Sequence, residues 1–480
     1  MSKPDRRTFL KLSVLAASAG ASRPLHALAH LNPTSPIKAW RTGGKQRFES
    51  IEAPAWQSGA PLSAMSIRLD PSQRFQKVLG FGAALTDASC YLLEQADAAK
   101  RSAILEECFG KSGLRFSVAR TTIGASDYSV SAYSYDESNT PDPDLTHFSI
   151  DHDKAYILPL LREARQKNPE LYYFSSPWSP PGWMKAGGTL LGGSMRKHYF
   201  PAYAQYFVKF LQGYAADGVK IQAVTVQNEV DTDQDGRMPA CLWGQEYEIG
   251  FVKDHLGPVL RKEGAATKIW VLDHNYNLWG RAIDELSDAG VYEYVDGIAW
   301  HGYAGDATAM TRVHEAFPEK NAYWTEGGPD INAPDYETDY AKWAQTFNGV
   351  VNNWARSITA WNLALDEKGK PNVGPFSCGG VVTIDNATHK VTRSGQYWAF
   401  AHFSRHVRRG AKVVAANGVG ETGGQRVAGA ISCAAFINPD GSRVAVLANR
   451  GPEQRVQLVS GGNALEMDVE ADSVHTLKWA

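Results

Sequence analysis

The sequence predicts an α/β fold: a closed (β/α)8 TIM barrel with an attached all-β sandwich side domain. Three observations predict it. Short apolar runs alternate with helical stretches through the middle of the chain. Each run ends in glycine, polar or aromatic residues, as barrel strands do where they open onto a site. Residues 411–480 then change to the period-two patterning of short antiparallel strands.

Residues 1–29 read as a twin-arginine-type signal peptide. Asp5-Arg6-Arg7-Thr8-Phe9-Leu10-Lys11 precedes the mildly apolar LSVLAASAGA, and Ala27-Leu28-Ala29 offers a small-residue cleavage site. The expected destination is periplasmic or secreted. The apolar stretch is too short for a membrane span, and no later segment reaches the ~20 apolar residues that a span needs. Losing this segment removes five cations and one anion and moves the net charge from −2 to −6, which argues against a nucleic-acid partner. Residues 30–75 read as an N-terminal segment joining the sandwich, with 46–53 and 66–69 as edge strands.

Residues 76–408 carry the barrel. Its eight runs are KVLGFGAALTD (77–87), RFSVARTTIG (115–124), LYYFSSPWS (171–179), AVTVQNE (223–229), KIWVLDHN (268–275), GIAWHGY (297–303), AYWTEGG (322–328) and ITAWNLAL (358–365). Near-continuous apolar character suits strands buried on both faces. Helices are expected at 92–108, 153–167, 197–216, 245–262, 279–289, 307–317, 338–356 and 396–408. Residues 409–480 form the C-terminal sandwich strands, with a hairpin turn at Asn438-Pro439-Asp440-Gly441. Cys90, Cys108, Cys241, Cys378 and Cys433 are odd in number and lack a C-x-x-C, so neither a disulfide framework nor a zinc site is expected.

The strand ends collect Asp87, Arg120, Trp178, Asn228, Glu229, His274, Asn275, His301, Tyr303, Glu326 and Trp361. Glu229 and Glu326 end the fourth and seventh runs, so their side chains converge across one mouth. Two convergent carboxylates in an aromatic-lined pocket are the equipment for glycosidic bond cleavage: one donates a proton, the other attacks the anomeric carbon or activates a water. His274 and His301 resemble metal ligands in isolation, but their strands carry no third His or Cys partner, so they read as barrel-core histidines. DTDQDG (231–236) opens like a calcium loop, yet its twelfth position is Leu242, and a solvated acidic rim loop is expected instead. Neither metal nor cofactor is expected.

The stretches GFGAALTDAS, RTTIGASDYS, SSPWSPPGWMK, TVQNEVD, GIAWHGY, WTEGG and WNLALDEKGKPN, in that order, resemble glycoside hydrolase family 30, which includes glucosylceramidases, β-1,6-glucanases and β-xylosidases. The resemblance implies a retaining β-glycosidase on a (β/α)8 barrel with a side sandwich built from both termini. It implies Glu229 as acid/base and Glu326 as nucleophile, with carboxyls ~5–5.5 Å apart. It further implies that Asn228 bonds the sugar 2-OH, that Arg120 keeps the nucleophile ionised, and that Tyr303 hydrogen-bonds Glu326. Asp127 and Trp178 would grip the outer hydroxyls of a glucosyl unit, Trp361 would floor the pocket, and Asn275 would join the substrate-binding set. Asp87, His274 and His301 would support the site. Val230 departs from the pattern, because many relatives place Pro after the acid/base. The resemblance implies glucosylceramidase-like or β-glucosidase activity on a carbohydrate or glycoside partner, with a β-1,6-glucanase or β-xylosidase/β-fucosidase as the alternative and a non-catalytic carbohydrate-binding protein as a remote one.

Overall fold

In the computed structural model, strands β1 (Gly80–Ala84), β2 (Val118–Ile123), β3 (Tyr172–Pro177), β4 (Ile221–Thr225), β5 (Lys268–Asn275), β6 (Val295–His301), β7 (Asn321–Glu326) and β8 (Ala355–Ala360) close into a barrel. All eight neighbouring pairs are parallel, including β8 with β1. The structure describes residues 36–61, 63, 65–418 and 431–480. The signal-peptide reading of residues 1–29 lies outside them.

Side-chain alternation along the strands builds the barrel interior in layers. Val118, Phe174, Ala223, Trp270, Ala299 and Tyr323 form one apolar cluster, with Trp270 and Tyr323 stacked at 3.9 Å. Two residues further along these strands the inward positions turn polar: Arg120, Ser176, Thr225, His301 and Thr325, all fully buried. On β5 the step is three residues, from Trp270 to Asp273. The pairing with β6 slips there, Ala299 facing Leu272 and Trp300 facing His274, and both Leu272 and Asp273 have positive φ. This is a β-bulge, which re-aims one side chain.

The expected run 92–108 is two helices, Asp87–Gln95 and Ala98–Phe109, because Asp97 caps a new start by accepting from Lys100 N at 2.8 Å. The stretch 245–262 is interrupted by a π turn at Val252–Leu256. Strand β4 stops at Thr225, short of the expected 229, for a reason given below.

The side domain is one ten-stranded sheet drawn from both termini. Lys38–Gly43 pairs with Gln46–Ile51 and with the last strand, Ser473–Trp479. Ser66–Lys77 is an interior strand between Lys412–Gly418 and Gln454–Ser460, which corrects the expectation of an edge. The sheet folds over on itself: Trp56, beside the short strand Gln57–Ser58 at one end, meets Trp479 near the other with ring centroids 5.6 Å apart. Cys433, Ala435, Ala445 and Leu447 face the core so enclosed, while Ala434, Phe436, Val444 and Val446 face the barrel core. Burial on both faces explains why 443–449 reads RVAVLAN.

Helices Tyr340–Asn352 and Gly395–Ser404 join the two domains. Asn348 and Asn352 donate to Val446 O and Cys433 O at 3.2 and 2.9 Å. His402, fully buried, bonds Thr476 Oγ1 through Nδ1 and Thr42 Oγ1 through Nε2, both at 2.8 Å, so one imidazole ties the first and last sheet strands to the barrel.

Burial, reinforced by neighbouring cationic groups, holds His402 well below the ordinary histidine range and His406 at about 3. The unfolded chain therefore binds more protons in acid. Stability is full above the unfolded value of about 6.5 and falls as pH drops from there toward 3, by up to about 1.4 kcal/mol per pH unit for each histidine. We predict a melting temperature that declines steadily between pH 6.5 and 4, with a shallower decline in His402→Gln. Differential scanning fluorimetry across that range measures both slopes.

Candidate active site

Past Thr225 the chain leaves the β4 ladder, and its next amides find partners on either side. Asn228 N donates to Pro177 O at 2.8 Å and Glu229 N to Asp273 O at 3.0 Å. Glu229 takes φ 53°, the left-handed region that a non-glycine residue adopts only when its surroundings hold it there. Two neighbouring strands thus fix the Asn228–Glu229 pair at the mouth.

Glu326, the last residue of β7, is buried across the mouth. Arg120 Nη1 pairs with its Oε2, and Tyr303 Oη donates to its Oε1 at 3.1 Å. Glu229 Oε2 accepts from Gln234 Nε2 at 2.9 Å, and its Oε1 lies 3.3 Å from His301 Nδ1. His301 Nε2 sits 3.7 Å from Glu326 Oε2. One imidazole therefore stands between the two carboxylates.

Below them lies an ion-pair centre. The Asp273 carboxylate accepts from Arg120 Nη2, Ser176 Oγ, Thr225 Oγ1 and Thr325 Oγ1 at 2.7–2.8 Å and contacts His301 Nε2 at 3.0 Å. Burial would raise its pKa, but the Arg120 charge and the hydrogen bond from His301 hold it far below the carboxylate range. Arg120 also donates to Asn228 Oδ1 at 2.8 Å. Burial pulls His301 down, but the Glu326 charge and the contacts with Asp273 and Glu229 lift it to about 9. Burial likewise opposes ionisation of Glu229, and the hydrogen bond from His301 with the charges of His274 and His301 overcomes it, leaving the carboxyl below its ordinary value.

The walls are aromatic. Trp178 and Trp361 stack on each other at 5.0 Å, both buried, and the Arg120 guanidinium lies 4.8 and 5.4 Å from their rings. Asp127 is buried and its Oδ1 has no hydrogen-bond partner. Desolvation, then the charges of Glu326 and Glu229, pushes its pKa well up. The loop after β8 closes over it: Val373 N donates to Asp127 O at 2.8 Å, and a Cβ on Gly374 would lie 2.6 Å from Asp127 Cβ. Only glycine allows that approach.

Other expected site residues act one step away. Asn275 Oδ1 accepts from Tyr303 N and Ala304 N at 3.0 and 3.2 Å and so holds the loop that carries Tyr303. Asp87 accepts from Val130 N and Tyr156 Oη at 2.7 and 2.5 Å and fixes loops behind the wall. In the acidic loop the three carboxylates part company: Asp231 reaches His274 Nε2 at 2.5 Å, Asp233 accepts from Gly193 N, and Asp235 points outward beside Arg237. Buried Val230 accepts from Trp243 N through its carbonyl at 2.8 Å, which shapes the turn after Glu229. Sequence reasoning missed Asp273 and the Val373-Gly374 loop. The extra residue of the bulge hid Asp273 from a period-two reading.

A (β/α)8 barrel with two carboxylates facing each other at its mouth defines a glycoside hydrolase. The glycosyl hydrolase family 30 TIM-barrel domain matches residues 78–407, and the family's beta sandwich domain matches residues 410–477. The chain belongs to glycosyl hydrolase family 30. It is 35% identical to an endo-1,6-beta-D-glucanase of Neurospora crassa, covering 90% of this chain and 89% of that protein. It is 31% identical to putative glucosylceramidase 2 of Caenorhabditis elegans over 82% and 78% of the two chains. A solved endo-beta1,6-glucanase superposes with a TM-score of 0.82 at 30% identity, covering 92% of this chain and 99% of its own.

Asp273→Ala breaks the buried pair with Arg120, leaving that guanidinium paired with Glu326 alone and the hydroxyls of Ser176, Thr225 and Thr325 without that acceptor, so it should cost about 3–5 kcal/mol of stability. Urea unfolding followed by tryptophan fluorescence measures the loss, which should exceed that of Asp231→Ala at the half-exposed rim.

Proposed function

We propose that this chain is a retaining β-glycosidase that cleaves β-linked glucosyl units, with β-1,6-glucan as its substrate class. The observation that carries the reading is the approach of Glu229 and Glu326 to opposite nitrogens of His301, with Arg120 and Tyr303 each bound to one oxygen of Glu326. In the first step Glu326 attacks the anomeric carbon as the glycosidic C–O bond breaks, and the proton of Glu229 passes to the leaving oxygen. In the second, Glu229 takes a proton from water, whose oxygen displaces Glu326 and restores the original configuration.

The proton that Glu229 gives has a second seat on His301, 3.3 Å away. A sugar covering the mouth displaces water, and the neutral pair gains on the charged pair in that drier site. Asn228, held by Arg120, faces the 2-OH. Asp127, buried and lacking a partner on Oδ1, offers an acceptor to an outer hydroxyl, beside Trp178 and Trp361.

Likeness to endo-1,6-β-D-glucanases over nine-tenths of the chain favours the glucan. The closely covered Asp127 favours a second reading, a terminal glucosyl unit on a lipid or small aglycone. A panel of β-1,6-glucan, glucosylceramide and aryl β-glucoside, β-xyloside and β-fucoside separates them; turnover of the xyloside or fucoside above the glucoside would overturn the glucosyl assignment. Glu326→Gly should lose at least about 10³-fold in kcat. Azide should then form an α-glucosyl azide, and wild-type activity in that variant would refute the nucleophile. Proton NMR of wild-type hydrolysis should show the β-anomer first.

We also read residues 1–29 as an export signal for folded protein. Intact mass of periplasmic material should show a mature chain beginning near residue 30; a full-length mass there would overturn the reading.

A further inference from the structure

His274 Nδ1 is buried, lacks a hydrogen-bond partner, and faces Glu229 Oε1 at 3.6 Å. His301 Nδ1 approaches the same oxygen at 3.3 Å. Among the described residues, Glu229, His274 and His301 bring one ligand atom each to within 4.8 Å of one another. We propose that these three side chains form a Zn²⁺ site of the two-histidine, one-carboxylate type at the barrel mouth.

The spacing fits the ion. Zinc bonds nitrogen and oxygen at about 2.0–2.1 Å, so neighbouring ligands of a tetrahedral ion stand about 3.3–3.4 Å apart. The two measured separations, 3.3 and 3.6 Å, meet that requirement with small side-chain shifts. The two imidazole rings lie 5.8 Å apart with their planes inclined by 74°.

The outer contacts match as well. A ligating histidine characteristically donates its other ring nitrogen to a carboxylate, which orients the ring. The ion takes the place of the proton on the ligating nitrogen, here the one His301 Nδ1 shares with Glu229. Here Nε2 of His274 meets Asp231 at 2.5 Å, and Nε2 of His301 meets Asp273 at 3.0 Å. Both Nδ1 atoms are thereby turned toward Glu229. Gln234 Nε2 holds the second carboxylate oxygen at 2.9 Å. On sequence grounds the histidines lacked a third partner; the fold supplies one in Glu229.

Zinc on Glu229 would take the lone pair that must carry the proton, so the bound ion would inhibit hydrolysis. That consequence, unlike the binding itself, rests on the role proposed for Glu229. Ligands must be deprotonated to bind, so calorimetric titration of tag-free enzyme with ZnCl₂ at pH 8 is the test. We expect one equivalent with Kd at or below about 100 µM. Asp231→Asn should weaken it about 10-fold and His274→Asn by more, with melting curves confirming that both variants are folded. Co²⁺ should give the visible absorption of a four- or five-coordinate ion. EDTA should restore hydrolysis of an aryl β-glucoside in zinc-treated wild type. No saturable binding below about 100 µM, or affinity unchanged in both variants, would overturn the site. Binding that His274→Asn weakens but that leaves hydrolysis untouched would uphold the site and refute Glu229 as proton donor.

Discussion

A single buried anion organises the mouth of this barrel. The Asp273 carboxylate holds Arg120 in place, and Arg120 in turn holds Glu326 and Asn228. Three hydroxyls, from Ser176, Thr225 and Thr325, saturate the remaining acceptor capacity, and His301 is oriented by the same group. A charge this deep survives only when every lone pair is used, so strands β2 to β7 are locked in register by their shared obligation to it. Glu229 and Glu326 sit one layer above, on a base that cannot shift without exposing a bare charge.

That arrangement follows from alternation. An apolar layer of Val118, Phe174, Ala223, Trp270, Ala299 and Tyr323 fills the barrel, and the next inward positions are polar. The same pleat makes packing and chemistry alternate steps on each strand. The bulge at Leu272–Asp273 is the one place where the count is broken, and it delivers the anion.

Much of this was legible in the sequence. Strands buried on both faces show themselves as apolar runs, and the polar residues that close them marked Glu229, Glu326, Arg120, Asn228 and Tyr303. Asp273 was not legible, because its inward aim depends on an extra residue that no periodicity reveals. The interior place of Ser66–Lys77 was also hidden: its second half is polar, and its partners lie hundreds of residues away. The break at Asp97 rests on a single capping residue inside an otherwise continuous helical pattern. Asn275 sits at its strand end as expected, whereas Asp87 lies past the end of β1 and opens the first helix, and the hydrogen bonds of both serve loops, which depends on where those loops return.

The sheet built from both termini has a kinetic consequence. Lys38–Gly43 emerges from the ribosome early, but one of its two hydrogen-bonding partners, Ser473–Trp479, is made hundreds of residues later. The early strand waits through the making of the whole barrel with one edge unpaired, and the side domain closes only once Ser473–Trp479 has been made. Assembly of this sheet is therefore a late event, and a chain cut short within Ser473–Trp479 leaves Lys38–Gly43 paired with Gln46–Ile51 alone.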